Sequence, residues 1–247
     1  RVTMPGVLFI IGAGGAGKSS LLAALAGSDE VELEGTATFG EHPVAREADA
    51  AWLRQREALE GAGSVAEALA ARGIDTAIAQ AWLVEACVVE GTAVLAASVA
   101  SLPLALRRYL AVRAALERDA ALYLLDEPTA DLDHAAALAV LARIANIAAR
   151  AAVLMITHNR RDCLALGGHV ALIAGGTLQE QASVAHFFNN PATPAGRLYV
   201  ETGNCGLPVD PIRRAAPSEA GIWWLVPGLL CGMSRPGLSA DIGDQLR

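Results

Sequence analysis

Aromatic residues make up only 4% of this 247-residue chain and charged residues only 18%. Lys and Arg number 19 against 26 Asp and Glu, for a net charge of −7. That balance leaves no broad basic face to neutralise a phosphate backbone, so nucleic acid is not an expected partner, and any polyanion must be gripped locally. Long uncharged runs are missing too: Val2–Gly17 and Gly91–Leu106 are the longest that also lack histidine, and both fall short of the roughly 18 residues that would suggest a membrane span. The mean hydropathy of +0.38 comes from dispersed alanine. Cysteine is scarce, with Cys87, Cys163, Cys205 and Cys231 far apart and without the spacing of a metal site or a disulfide framework. No charged segment followed by an apolar stretch marks a leader at the start, and a reducing, cytoplasmic location fits. The chain opens at Arg1 without an initiator methionine and reads as a fragment.

Hydrophobic residues are plentiful at 53%, which excludes disorder. Val7–Ile11 is an all-apolar run between Gly6 and Gly12, as expected of a strand buried on both faces of a parallel sheet. Similar runs recur at Ala121–Leu125, Val153–Ile156 and Val170–Ile173. Between them lie alanine-rich helical stretches at Ser19–Ala26, Ala66–Arg72, Thr76–Val89, Arg107–Arg118 and Asp133–Arg150. The alternation predicts an α/β fold with a mostly parallel sheet flanked by helices. Residues 56–106 hold no good strand candidate and are expected to be a helical insertion. Five prolines between Asn189 and Pro217 suggest a linker before an apolar cluster at Ile222–Val226.

Gly12-Ala13-Gly14-Gly15-Ala16-Gly17-Lys18-Ser19 fits the GxxxxGK[ST] pattern directly after the first strand and at the mouth of a helix. Its glycines let backbone N–H groups curl around phosphate oxygens. Lys18 would reach the β/γ-phosphates, Ser19 would ligate Mg²⁺, and Ser20 would extend the cradle. Leu122–Leu125 is an apolar strand ending in two carboxylates. Asp126 is placed to hold Mg²⁺ and Glu127 to orient or deprotonate an attacking water.

The ordered set Gly12–Ser19, Leu125-Asp126-Glu127-Pro128, Ala130-Asp131-Leu132-Asp133 and Ile156-Thr157-His158 resembles the nucleotide-binding domain of ATP-binding cassette (ABC) proteins, over about residues 2–200. The resemblance implies a P-loop NTPase fold with a helical subdomain at about 56–110, ATP and Mg²⁺ as ligands, and ATP hydrolysis. It gives Gln55 the place of the family's Q-loop glutamine, a Mg²⁺ or water contact, and His158 that of the switch histidine at the γ-phosphate. Asp131 and its neighbours match a loop that crosses a dimer interface. The implied partners are a transmembrane permease and a second nucleotide-binding domain, with the chain peripheral on the cytoplasmic face of the membrane. The family's adenine-stacking aromatic lies in a strand well before the phosphate loop, a segment this chain begins too late to contain.

The chain departs from the family at the signature motif. Where LSGGQ is expected it reads Leu102-Pro103-Leu104-Ala105-Leu106. In the family this segment clamps the γ-phosphate of the opposite subunit. Pro103 has neither hydroxyl nor N–H, so at least two contacts to an anion are lost, each about 1.5–3 kcal/mol. Hydrolysis is expected to slow by about tenfold to a hundredfold if one of them acts in the transition state.

Gly175–Glu180 and Phe187–Pro191 resemble the end of transporter-type ABC domains. Ile222–Gly228 with Arg235-Pro236-Gly237 resembles the opening of dual-specificity-type phosphatase domains, without their CxxxxxR loop. The expected domains are therefore an ABC ATPase at 1–200 lacking its first strands, a linker at 201–220 and the start of a second domain at 221–247. The first functional expectation is the ATPase subunit of an ABC transporter. The alternative is an ATP-responsive regulatory module fused to a phosphatase-like domain.

Overall fold

The computed structural model describes residues 5–31, 38–39, 42–43, 50–205, 222–226 and 230–233. Its centre is strand β1 (Gly6–Gly12), the first apolar run, buried from Val7 onward. Side chains alternate across the sheet. Val7, Phe9 and Ile11 join one core, and Leu8 and Ile10 the other. Helix α1 (Lys18–Leu25) follows and lays Leu21, Leu22 and Leu25 on the second face. A two-residue pair, β2 (Thr38–Phe39) with β3 (His42–Pro43), runs antiparallel.

Strand β4 (Ala50–Leu53) escaped the sequence reading, because Ala50-Ala51-Trp52-Leu53 is short and carries no β-branched residue. Every element described between β4 and the next strand is helical. These are α2 (Val65–Ala70), α3 (Thr76–Glu85), α4 (Gly91–Ala96), a single 3-10 turn at Val99–Ser101, and α5 (Leu104–Leu116). Ser64 and Glu67 form a reciprocal capping box at the start of α2. Helix α3 stops at Glu85 rather than running to Val89. Cys87 turns left-handed (φ 57), its amide donates to the Val84 carbonyl and the Val88 amide to the Leu83 carbonyl, which is the Schellman way of ending a helix. Helix α5 begins at Leu104, earlier than the expected Arg107, because Pro103 supplies an extended N-cap residue with no amide to satisfy.

Strand β5 (Leu122–Asp126) is buried throughout. Helix α6 (His134–Ala148), capped by Asp133, leads to β6 (Ala152–Ile156). Asn159 caps α7 (Arg160–Leu166) before β7 (His169–Ala174). Gly175 and Gly176, both left-handed at φ 58 and 73, form a tight two-residue turn into the antiparallel strand β8 (Thr177–Ser183). This polar edge strand offers little hydrophobic signal and was likewise not predicted. Helices α8 (Val184–Asn189) and α9 (Pro194–Thr202) close the domain, capped by Ser183 and Thr193.

The sheet order is β4-β5-β6-β1-β7-β8, parallel except for β7 with β8. Residues of α5 and α6, among them Tyr109, Leu110, Val140 and Ile144, fill the first core. No helix among the described residues is long and apolar enough to cross a membrane. Strands β9 (Ile222–Val226) and β10 (Leu230–Met233) pair antiparallel. Most of the expected linker at 201–220, and residues 227–229 and 234–247 of the phosphatase-like stretch, lie outside the described residues.

Candidate functional site

Three parallel strands set the site. Ile156 pairs with Ile10 of β1 and with Asp126 of β5, so Gly12, Asp126–Glu127 and Thr157–His158 emerge together at the carboxyl ends of adjacent strands, where open α/β sheets hold their ligands.

Gly12 is required by its neighbours. Its φ is 150°, and a Cβ there would stand 2.0 Å from the Ile173 carbonyl oxygen of β7. The loop then rises through Gly14, Gly15, Ala16 and Gly17 to α1, whose N-cap Gly17 offers no side-chain acceptor. The first-turn amides of α1 are therefore open to an anion, with the helix dipole behind them. Lys18 is buried, and its Nζ donates to the carbonyls of Gly12 (2.9 Å) and Ala13 (2.8 Å). Burial draws its pKa down, while the nearby charges of Glu127 and Asp126 draw it up. Ser19 and Ser20 are exposed at the helix mouth.

Asp126 is 3% exposed, and its Oδ1 has no protein partner. Burial pushes its carboxyl above the ordinary range, and the Ser19 hydroxyl pulls the other way. A buried carboxylate oxygen without a donor, next to a hydroxyl, suits a hard cation that prefers oxygen ligands. No cluster of three or more His, Cys, Asp or Glu able to hold a metal exists among the described residues. A cation here would therefore depend on Asp126, Ser19 and oxygens of a phosphate ligand.

Glu127 turns left-handed (φ 51), which swings its carboxylate out of the sheet to within 3.3 Å of His158 Nε2. With Thr129, Ala130, Thr157 and Asn159 the pair lines a cleft of about 410 Å³. An acid at a strand end beside an imidazole, both lining one open cleft, can orient a water and a terminal phosphate. Gln55 lies exposed at the same end of the sheet, two positions past Leu53, whose register partner Leu125 precedes Asp126. Asp131 is also left-handed (φ 61), and Asp133 accepts the Ala136 amide at 2.9 Å.

The segment Leu102–Leu106 opens α5. Leu102 is buried, but Pro103, Leu104 and Ala105 are exposed. The amides of Leu106 and Arg107 both donate to the Pro103 carbonyl at 3.1 Å, leaving the first-turn N–H groups of Leu104 and Ala105 for any anion.

Two residues that sequence reasoning gave no role stand behind these loops. Asp162 of α7, 2% exposed, accepts from Thr129 Oγ1 (2.5 Å), Asn159 Nδ2 (2.8 Å) and Thr157 Oγ1 (3.3 Å), so it ties the Glu127 turn to the His158 loop. Arg108 of α5 donates to the Glu127 and Ala130 carbonyls. Neither stood out in the sequence, because Arg107 adjoins Arg108 and Arg160 and Arg161 directly precede Asp162. Cys163 and Cys205 are buried thiols. Burial pushes Cys163 up to about 12, and Cys205 also upward against the pull of the Ala13 amide and Lys18.

The family model described as "ABC transporter" matches residues 2–130. The diacetylchitobiose uptake system ATP-binding protein MsiK of Streptomyces coelicolor is 27% identical over 242 residues, covering 87% of this chain and 64% of MsiK. The sn-glycerol-3-phosphate import ATP-binding protein UgpC of Vibrio vulnificus is 27% identical over 232 residues, covering 89% of this chain and 62% of UgpC. This chain thus spans a little under two thirds of the length of these curated relatives. A solved "ATP binding subunit of ABC transporter" superposes with a TM-score of 0.65 at 20% identity, over 80% of this chain and 88% of that one. Strand order, phosphate loop, acidic strand end and family match agree: the chain belongs to the ABC transporter family.

Proposed function

We propose that this chain binds ATP and hydrolyses it as the motor subunit of an ABC transporter, working with a separate membrane permease and a second nucleotide-binding domain at the cytoplasmic face. The observation that carries this reading is the convergence of Lys18, Asp126, Glu127 and His158 on one end of the sheet, with His158 Nε2 3.3 Å from Glu127 Oε1. Relatives named as uptake and import proteins favour import.

The phosphate loop would wrap the β- and γ-phosphates of ATP with its amides. Lys18 would exchange its two carbonyl contacts for phosphate oxygens. Ser19 and Asp126, with Gln55 beside them, would hold Mg²⁺, which when bound neutralises phosphate charge. Glu127 would orient the attacking water and take its proton, and His158 would steady the γ-phosphate. The substituted segment Leu102–Leu106 supports slow turnover, since only a helix dipole and two amides remain for the opposite site.

The test is Mg-ATP turnover and nucleotide binding by wild type, Lys18→Ala and Glu127→Gln. Turnover lost in both variants, with binding lost only in Lys18→Ala, is the expected result. Equal turnover in wild type and Glu127→Gln would sink the assignment of Glu127.

A further inference from the structure

The turn after β5 is bent twice into the left-handed region, at Glu127 (φ 51) and Asp131 (φ 61), which side chains rarely adopt without outside support. Its own hydrogen bonds are long: the Ala130 amide reaches the Glu127 carbonyl at 3.2 Å and the Leu132 amide the Thr129 carbonyl at 3.4 Å. The shorter bonds come from elsewhere. Arg108 Nη2 donates to the Glu127 carbonyl at 2.8 Å and Nε to the Ala130 carbonyl at 2.9 Å. Arg108 is 3% exposed, so its guanidinium has left water for these two carbonyls, which belong to the two ends of one turn. A planar fork with fixed donor directions sets the distance between two acceptors, and a lysine ammonium, a point donor on a flexible stem, does not.

We propose that Arg108 is a positioning residue for Glu127. By bridging the Glu127 and Ala130 carbonyls it holds the backbone bend that aims the Glu127 carboxylate at the cleft shared with His158. It also anchors that bend to α5, whose first turn is the substituted segment beginning at Pro103, so that a shift of α5 moves the base. This inference rests on the hydrolysis reading above and goes beyond it, because Arg108 does not itself line the cleft and reaches it only through the Glu127 and Ala130 backbone.

The experiment compares wild type, Arg108→Met and Arg108→Lys, all in the full chain. It measures kcat and KM for Mg-ATP, the affinity for a fluorescent ATP analogue, and amide hydrogen exchange over residues 127–133. Misplacing a reacting group by about an ångström slows a reaction by about ten- to a hundredfold. Arg108→Met should therefore lower kcat at least about tenfold while analogue affinity stays within about twofold, and exchange over 127–133 should quicken. Arg108→Lys keeps the charge but spans one carbonyl only, and should fall between the two; it also carries the test if the methionine variant does not fold. A kcat within about twofold of wild type in both variants overturns the proposal. So does an equal loss of kcat and analogue affinity, the mark of general loosening. Absent turnover in wild type would refute the hydrolysis reading itself. Exchange over 127–133 then still decides the bracing, and unchanged exchange in both variants refutes it.

Discussion

Replacing Asp162 by alanine should loosen the loop that carries His158 and cost the fold a measurable part of its stability. The carboxylate is 2% exposed and accepts two short hydrogen bonds, from Thr129 at 2.5 Å and Asn159 at 2.8 Å, and a longer one from Thr157 at 3.3 Å. Bonds to a charged acceptor contribute about 1.5–3 kcal/mol each, and burying the charge takes part of that back. Asn159 is exposed and can turn to water, but the Thr157 hydroxyl is buried and would lose its acceptor, keeping only the Asn159 backbone amide that donates to it at 3.0 Å. A net loss of about 2–4 kcal/mol follows for Asp162→Ala, or a Tm lowered on the order of 10 °C for a chain of this size. Asp162→Asn keeps the shape and one acceptor and sheds the buried charge, so its loss should be about 1 kcal/mol or less. The pH dependence has a definite sign. Burial, the largest influence, holds this carboxyl above its ordinary pKa, with the Thr129 and Thr157 hydroxyls pulling it back. The native state therefore takes up the proton at higher pH than the unfolded chain, whose aspartates titrate near about 3.9. Stability linked to this residue falls as pH rises through that window and is constant above it. Wild type should thus gain on Asp162→Asn when melted at pH 4 instead of pH 7, other titrations cancelling in the comparison. Thermal melts of the three proteins at both pH values are the assay. A melt of Asp162→Ala within about 2 °C of wild type, or a wild-type advantage that shrinks on acidification, would refute the reasoning.

Gly12→Ala should fail as a fold, because its Cβ would meet the Ile173 carbonyl at 2.0 Å with φ at 150°. A loss of more than about 3 kcal/mol is expected, read as a collapse of soluble yield and Tm, and an ordinary melt would contradict it. Lys18→Ala removes a buried ammonium aimed along the phosphate loop, and affinity for a fluorescent ATP analogue should drop by about a hundredfold, or about 2.7 kcal/mol. Unchanged affinity would place the nucleotide elsewhere. Rebuilding the first turn of α5 with Pro103→Ser, Leu104→Gly and Ala105→Gly restores a hydroxyl and closer backbone approach, and Mg-ATP turnover should rise by about tenfold to a hundredfold. No rise would mean that this segment does not limit the rate.

Much of the site was legible because its chemistry is local. Gly12–Ser19 specifies a loop by residue types at fixed spacing after an apolar strand, and Leu122–Asp126 advertises a buried strand ending in acid. The buried strands β5, β6 and β7 announced themselves as unbroken apolar runs. The strands β4 and β8 did not. Each lies at an edge of the sheet, where one side of the ladder is open and hydrophobic patterning weakens. The end of α3 was missed because Cys87 takes a left-handed cap position that glycine more often marks.

By itself, the sequence determined which residues form the glycine-rich loop and the acidic strand end and in what order along the chain, since backbone curl, helix start and strand end are set by neighbours a few positions apart. It also determined that Leu102–Leu106 carries no hydroxyl. Only the tertiary structure decided that Glu127 and His158 face each other, that Asp126 keeps a buried oxygen without a protein donor, and that Asp162 and Arg108 brace the loops between them. Those contacts join elements 19 to 33 residues apart. They exist because parallel pairing brings β1, β5 and β6 to a common end while α5 and α7 pack around it. Such pairing depends on the whole sheet closing over its two cores, which no single window of sequence contains.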